Sequence, residues 1–574
     1  MARAAKTNGP ADKEKKTAKK PAKKKQAVVV IHGMGEQRPM ETLRSFVDTV
    51  WTKDLSLTAA QSDSPAEQEW QDNARTTDLR TGQTINKSWI VPDSRTGSFE
   101  LSRITTPYNR IGVRTDFYEL YWADIMQGTT WQHVWSWVKG LLFRRTRNVP
   151  IDVRLAWIVL WIVSFSATAL LLAAVIPTEK WDGFVTEIRS SGSGILKWMV
   201  TNVWPLIFSL AALSAVMASL CYRTSRGSWF HFVAPLVIAF GLVLFAFPGF
   251  LDKWAFLLSI GAAVLGFVVH SLIVPTFGDV ARYVQARPDT IEKRQNVRVR
   301  GLELLERVHK DYDRLIIVSH SLGTMVAYDL LQQLWSRYGP TKSFDPETGK
   351  TIPALPKRAK DALRAINEFA RRAKDEELAR QANQEEQETE WEHDELSEFQ
   401  RHQFAAYQAL SGSNKGNGWK VSDFVTLGSP LTHAEFLMSK NAETYKLLKA
   451  ERRVSLCPPL LDEEFQSVLH GAGTGGEKLA HHAAVFSATR WTNISDKHTA
   501  VFFGDIISGP VHENFGPGIT EYRVRIYRRI LCNLWSRFFT HTSYWRWDPT
   551  FDDEADGVPE HIGALRSAVA LDEN

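Results

Sequence analysis

The chain has few cysteines, and its start lacks the apolar segment of a secretory signal. The three cysteines, Cys221, Cys457 and Cys532, are widely spaced and form no Cys-x-x-Cys pair. This excludes a disulfide framework and fits a reducing compartment. Residues 1–25 hold ten Lys/Arg against two acidic residues and almost nothing apolar, so a disordered basic tail is predicted. The expected partner of this Lys-rich tail is an anionic membrane surface, and no nucleic acid is expected.

Charged residues are absent from four long stretches in the middle of the chain. These apolar stretches are residues 155–176, 198–222, 229–251 and 254–275. Each has about the 20 residues that cross the hydrocarbon of a bilayer; buried core helices are the alternative. Basic residues lie before the first stretch, between the second and third, and after the fourth, which places both flanks and both termini in the cytoplasm. The sequence therefore predicts a multi-pass integral protein of the cell or inner membrane, with about four transmembrane helices over residues 151–277.

A second membrane element is predicted just before this insertion. Trp131, Val134, Trp135 and Val138 repeat at helical spacing, and several arginines follow them. This pattern indicates an interfacial amphipathic helix over residues 128–150. A helix that faces the core of the soluble part would give the same pattern and is the alternative.

Outside these segments, short β-branched runs alternate with helical periodicity, which predicts a parallel α/β sheet. Strands are predicted at residues 27–31, 113–121, 315–318, 424–427 and 490–495, and helices at residues 290–312, 324–335 and 526–538. The α/β domain would then be built from three parts, residues 26–127, 278–345 and 416–574. The highly charged residues 346–415 between the last two parts are interpreted as a helical insertion or a lid.

The main chemical motif lies where the predicted strand 315–318 leads directly into a helix. The turn between them reads Ser319-His-Ser-Leu-Gly323, the layout of a nucleophile elbow, in which a sharp strand-to-helix turn exposes a serine hydroxyl. Ser321 is the candidate nucleophile. The first small position of the elbow is Ser319 where a glycine is usual.

A glycine-rich loop, His32-Gly-Met-Gly35, follows the first predicted strand. Acyl transfer needs backbone amides aimed at the oxyanion that forms during the reaction, and Gly33 and Gly35 give such a loop its conformational freedom. Met34 and Leu322 are the candidate oxyanion-hole amides, and His32, Gly33 and Gly35 form the candidate oxyanion loop.

The base and the acid are harder to assign, because the chain has 16 histidines. In enzymes of this type the acid follows the serine and the histidine comes last. His541, in a predicted loop near the C-terminus, is the favoured base, but its position alone does not exclude the other histidines. Asp496 follows the predicted strand at residues 490–495, and Asp505 follows a further one at residues 500–503. Both precede His541, so chain order does not separate these two candidate acids. Asp423 is disfavoured because it begins a strand and so lies at the wrong end of the sheet.

Several of these motifs together resemble the intracellular DDHD-type phospholipases A1, which are serine lipases of the α/β-hydrolase superfamily. The similar segments are Val318-Ser-His-Ser-Leu-Gly323 with Ala327-Tyr-Asp329, Phe424-Val-Thr-Leu-Gly-Ser-Pro-Leu431, and His541-Thr-Ser-Tyr-Trp545 followed by Asp548. The start, His32-Gly-x-Gly-Glu-Gln37, is more loosely similar to bacterial membrane α/β-hydrolases. In that group the acid follows a Trp-x-Asn strand, and Asp505-Ile-Ile-Ser-Gly509 after Trp491-Thr-Asn493 matches the pattern. The phospholipase pattern would place its aspartate where this chain has Thr499.

The resemblance implies an α/β-hydrolase sheet, interrupted by the transmembrane and the charged insertions, with a triad of Ser321, Asp505 and His541. The implied substrate is a lipid or another acyl ester of the membrane, cleaved without a metal or cofactor. An acyltransferase or thioesterase would use the same residues. A non-catalytic membrane scaffold that retains the hydrolase fold is the alternative from another class of protein.

Overall fold

A mostly parallel eight-stranded sheet forms the centre of the molecule. The computed structural model describes residues 23–33, 38–97, 100–126, 283, 288–341, 355–383, 391–412, 418–459, 469–471, 478–497, 504–505, 507–529, 535–536, 540–547 and 557–573. In chain order, the strands are β1 (Lys24–Ile31), β2 (Arg75–Thr77), β3 (Thr84–Asn86), β4 (Trp89–Pro92), β5 (Ser102–Tyr108), β6 (Val113–Leu120), β7 (Arg314–His320), β8 (Val421–Leu427), β9 (Leu469–Gly471), β10 (Lys478–Ala480), β11 (Arg490–Asp496), β12 (Thr520–Val524), β13 (Arg528–Arg529) and β14 (Trp535–Ser536).

The order of strands across the sheet is β12-β11-β8-β7-β1-β6-β5-β4. The strands from β12 to β6 pair in parallel, whereas β5 is antiparallel to both β6 and β4. The carboxyl ends of the six parallel strands therefore meet at one edge of the sheet, which is where ligand sites form in open α/β sheets. The predicted α/β class with a parallel sheet is confirmed.

Helices cover both faces of the sheet. They are α1 (Glu41–Val47), α2 (Pro65–Ala74), α3 (Ala123–Met126), α4 (Pro288–Asp311), α5 (Leu322–Tyr338), α6 (Lys357–Asn383), α7 (His393–Ser411), α8 (Ala434–Met438), α9 (Ala442–Ala450), α10 (His512–Phe515) and α11 (Glu560–Val569). Successive residues of a strand point to opposite faces. In β1, Val29 and Ile31 join a core with α4 to α7, while Val28 and Val30 join a second core with α1 and α11. This double burial explains the unbroken apolar run of β1.

The charged segment predicted as an insertion or a lid contains a helical hairpin, α6 and α7. Its apolar residues belong to the larger core, among them Leu363 and Ile366 of α6 and Phe399 of α7. Gln403 of α7 is buried as well, and its amide donates to the backbone oxygens of Phe486 and Thr489. The hairpin is thus a structural layer on the sheet, with its charge on the outer face. A further role as a lid stays a prediction.

Two sequence predictions are corrected by the structure. The helix expected at residues 526–538 is wrong, because β13 and β14 lie there and pair antiparallel. Short apolar runs with aromatic and β-branched residues fit either helix or strand, which explains the error. The predicted tail, residues 1–25, is also too long, since β1 begins at Lys24 and the backbone N–H of Lys25 donates to the Asp313 carboxylate at 3.0 Å.

The membrane predictions lie outside the described residues. This applies to the transmembrane insertion at residues 151–277, to the amphipathic helix at residues 128–150, and to most of the basic tail. Within the described ranges, no helix combines the length and the apolarity needed to cross a bilayer.

Candidate active site

Ser321 occupies a strained turn between β7 and α5. Its φ of 53° and ψ of −133° fall outside the regions that residues other than glycine favour, and such a conformation costs about 1–3 kcal/mol. Its backbone N–H donates to the Leu427 carbonyl at 3.0 Å, which holds the turn against β8. A Cβ at Gly323 would lie 2.3 Å from the His32 oxygen, so only glycine fits there. The geometry is that of the predicted nucleophile elbow.

Ser321, His541 and Asp505 form a continuous chain of hydrogen bonds. The Nε2 of His541 lies 2.7 Å from the Ser321 Oγ, and its Nδ1 lies 2.9 Å from the Asp505 Oδ2. All three side chains are buried. Since the carboxylate accepts the Nδ1–H, the Nε2 is left as the acceptor for the serine hydroxyl, as general-base activation of a serine requires. The structure therefore brings together the three residues that the sequence singled out for a triad.

The environment of Asp505 keeps its carboxylate ionised. Its Oδ2 also accepts the hydroxyl of Tyr544 at 2.7 Å, and its Oδ1 accepts the Ile507 N–H at 2.9 Å. Burial alone would raise the pKa of Asp505. The hydrogen bonds from His541, Tyr544 and Ser508, and attraction to His541 when that ring is protonated, outweigh burial and hold the pKa below its usual range.

Asp496, the second candidate acid, takes a different position. It is buried at the end of β11, where its Oδ2 accepts the hydroxyl of Thr540 and its Oδ1 accepts the Ile526 N–H at 3.3 Å. It thus holds the residue next to His541 in the chain and not the imidazole itself. Asp423, disfavoured from the sequence, is bonded to Arg314 at 2.6 Å and to Arg490 at 2.8 Å, near the amino-terminal half of β8.

The glycine-rich loop after β1 begins directly against the serine. A Cβ at Gly33 would lie 2.8 Å from the Ser321 Cβ. His32 donates its Nδ1–H to the Gly33 carbonyl oxygen at 2.7 Å and accepts the backbone N–H of Trp122 on Nε2 at 3.2 Å. The imidazole also stacks on the Trp122 indole. Burial lowers the pKa of His32 to about 4, so the ring is neutral and keeps both bonds.

The predicted oxyanion hole is described only in part. Leu322 is the first residue of α5, and the first amides of a helix have no partner within it. Met34 and Gly35 lie outside the described residues.

Three contributors to the site were not predicted. His320 donates its Nε2–H to the His541 carbonyl at 2.7 Å, and its ring meets the edge of Trp545. Burial lowers the pKa of His320 to about 3, and repulsion from His541 when that ring is protonated acts in the same direction, so His320 stays neutral. The second contributor is Tyr544, whose hydroxyl donates to Asp505. The third is Gly428, with a φ of 57°: a Cβ atom on Gly428 would lie 2.7 Å from the Tyr544 ring, so only glycine leaves room for that ring. Gly428 and Tyr544 lie in segments with a family resemblance, but nothing in one sequence assigns them these contacts.

Glu119, near the end of β6, binds the backbone just before α1. Its Oε2 accepts the Met40 N–H at 2.6 Å, immediately before α1. Its Oε1 is buried without a hydrogen-bond partner in the described part of the chain. Burial raises the pKa of Glu119 from 4.5 to about 7, against the opposing effect of the Met40 N–H.

We expect Glu119 to make the protein less stable as the pH rises. Its folded pKa lies above the unfolded value, so its favourable contribution is complete below pH 4.5 and is lost as the pH rises through about 7. The loss should be about 3 kcal/mol. Denaturant unfolding of the wild type and of Glu119→Gln at pH 5 and pH 8 measures it: the variant should lose less stability over this interval. Glu41→Gln removes an exposed carboxylate nearby and is the control. Equal pH dependence in all three proteins would contradict the assignment.

In comparisons with known proteins, no family model, no curated protein and no solved structure matches this chain.

Proposed function

We propose that this chain is a membrane-bound serine hydrolase that cleaves carboxylic esters of lipids through an acyl-enzyme on Ser321. The observation that carries the proposal is the buried Ser321–His541–Asp505 chain, with separations of 2.7 and 2.9 Å, at the carboxyl edge of a parallel sheet. The strained serine gives further support, because a protein retains such strain mainly where function requires it.

In the proposed mechanism, His541 accepts the proton of Ser321 as the oxygen attacks the ester carbonyl. The amides of Leu322 and Met34 stabilise the tetrahedral oxyanion. His541 then protonates the departing alcohol, which leaves an acyl group on Ser321. A water molecule then attacks the acyl carbonyl while His541 accepts its proton, and His541 passes this proton to the Ser321 Oγ as the carboxylic acid leaves. Asp505 holds the imidazole in the required tautomer throughout and stabilises its positive charge.

The lipid part of the proposal rests on the sequence. The four apolar stretches lie between β6 and β7, and both strands pair with β1. If the stretches cross a bilayer, an even number of crossings returns the chain to the side where the sheet is built, in accord with cytoplasmic flanks. Such an insertion would hold Ser321 near lipid esters. The resemblance to DDHD-type phospholipases A1 and to bacterial membrane α/β-hydrolases favours a lipase or phospholipase of the α/β-hydrolase type.

The test is hydrolysis of defined lipids by the purified chain in neutral detergent. We expect release of free fatty acid from diacyl phospholipids or acylglycerols and none from the matched dialkyl ethers, which lack the ester carbonyl. Product analysis by mass spectrometry identifies the ester that is cleaved. If neither the lipids nor a soluble short-chain ester release a carboxylic acid, the proposal is wrong.

A further inference from the structure

A cavity of about 430 Å³ lies beside α5, on the stretch of the helix that follows the nucleophile elbow. Its lining combines three arginines, Arg294, Arg298 and Arg453, with apolar side chains that include Met325, Leu431 and Met438. The mechanism proposed above uses none of the arginines. Positive charge beside an apolar wall is the pattern of a site for an anionic amphiphile.

The carboxylate of Asp329 is shared by two arginines and a tyrosine in this cavity. The Asp329 Oδ2 accepts the Arg298 Nη2 at 2.5 Å and the Tyr283 hydroxyl at 2.8 Å, and it lies 3.5 Å from the Arg294 Nη2. The lining holds three arginines and one aspartate. Arg453 also lies 3.6 Å from the Glu451 carboxylate, but both side chains are mostly exposed, so water screens this pair and Arg453 can still bind an anion. The Nε–H groups of Arg294 and Arg298 are buried, and no group in the described ranges accepts them. Unpaired buried donors are costly, so a bound acceptor would stabilise this arrangement.

The charge and the donors fit a phosphate monoester best. Guanidinium groups bind phosphate and carboxylate oxygens through paired donors. A dianionic phosphate balances two positive charges, whereas a fatty-acid carboxylate balances one. The apolar wall would then cover the glycerol and acyl part of the ligand.

The position of the cavity favours a membrane lipid as the source of this phosphate. Tyr283, in its lining, lies eight residues after the last apolar stretch, which ends at residue 275. This step rests on the membrane insertion in the proposed function. We propose that the cavity binds the phosphate headgroup of a membrane lipid.

The bound lipid would be distinct from the substrate. Asp329 lies eight residues beyond Ser321, which corresponds to about 12 Å along the helix axis. Only the glycerol carbons and their oxygens separate the phosphate of a phospholipid from its acyl ester. A lipid whose phosphate is bound by the arginines beside Asp329 therefore does not place its own ester at Ser321, and the cavity is an additional lipid site.

Binding can be measured without catalysis in the Ser321→Ala chain, so failure of this proposal is distinct from failure of the hydrolase proposal. Purified protein in neutral detergent is titrated calorimetrically with 1,2-dihexanoylglycerol 3-phosphate. Glycerol 3-phosphate, inorganic phosphate and laurate are the comparison ligands. We expect the dihexanoyl lipid to bind most tightly, because it alone offers a dianion and an apolar part.

Two added changes test the arginines. Arg294→Gln with Arg453→Gln removes two positive charges and should weaken lipid binding at least about tenfold. Gln333→Glu adds a negative charge to the same lining with little change of shape, and should weaken binding even if the double variant folds poorly. Arg364→Gln with Arg371→Gln, exposed positions on α6, is the matched control and should bind like the parent.

The comparison ligands decide the chemistry. Inorganic phosphate binding as tightly as the lipid would overturn the lipid assignment in favour of free phosphate. Equal binding of laurate would overturn the phosphate assignment. Undetectable binding of the dihexanoyl lipid, or the same affinity in Gln333→Glu and the parent, would overturn the site.

Discussion

Ser321→Ala should abolish fluorophosphonate labelling and reduce ester hydrolysis by several orders of magnitude, about 10⁶ by analogy with a well-evolved serine protease. The hydroxyl that alanine lacks is the group 2.7 Å from the His541 Nε2. The variant should fold, because alanine is smaller and the turn is set by the backbone bond to Leu427. Labelling of the purified chain, followed by in-gel fluorescence and a soluble ester assay, measures both effects.

Ser319→Ala is the matched control for this experiment. Ser319 lies two residues earlier, and its hydroxyl donates to the Val425 carbonyl at 3.2 Å, away from His541. Alanine keeps the small side chain that the elbow needs, so labelling should persist. Wild-type labelling of Ser321→Ala would show that another nucleophile reacts and would refute the serine-hydrolase proposal.

Asp505→Asn should cost about 10⁴ in turnover with the fold retained. The asparagine amide has two possible orientations. If its nitrogen faces His541, it cannot accept the Nδ1–H. If its oxygen faces His541, the hydrogen bond remains, but the negative charge that stabilises the imidazolium is lost. The expected signature is a lower kcat on a soluble ester together with a nearly unchanged thermal unfolding temperature. Asp505→Glu, which keeps the charge on a longer side chain, should recover part of the activity.

Asp496→Asn separates the two candidate acids. Because Asp496 is buried and accepts Thr540 and the Ile526 amide, its replacement should lower stability by about 1–3 kcal/mol. It leaves the His541–Asp505 bond in place, so most of the turnover should remain. The reverse result, with Asp496→Asn inactive and Asp505→Asn near normal, would reassign the acid.

The sequence was sufficient for the parts of the fold that depend on local patterns. The apolar runs of β1 and β7 must be buried on both faces, and the Ser-His-Ser-Leu-Gly turn between a strand and a helix admits few conformations. These patterns located Ser321 and His32 directly. Chain order could not separate Asp505 from Asp496, and only the resemblance of Asp505-Ile-Ile-Ser-Gly509 to related hydrolases ranked Asp505 first.

Long-range contacts could not be predicted in the same way. The bond from His320 to the His541 carbonyl joins residues 221 positions apart, and no local period encodes it. The sequence shows only that Asp496 follows a strand, whereas its buried hydrogen bonds to Thr540 and to the Ile526 amide join residues 44 and 30 positions apart. The strands β13 and β14 were mistaken for a helix because only their pairing, and not their composition, distinguishes them.

The central place of β1 in the sheet has a consequence for biogenesis. β1 and β6 belong to the first 120 residues, but β7, the other neighbour of β1, begins at residue 314. At 5–20 residues per second, a ribosome needs roughly 10–40 s to make the intervening segment. During that time the apolar β1 has one unpaired edge, which is a template for incorrect strand pairing. We therefore expect the nascent chain to depend on protection of this edge until β7 emerges.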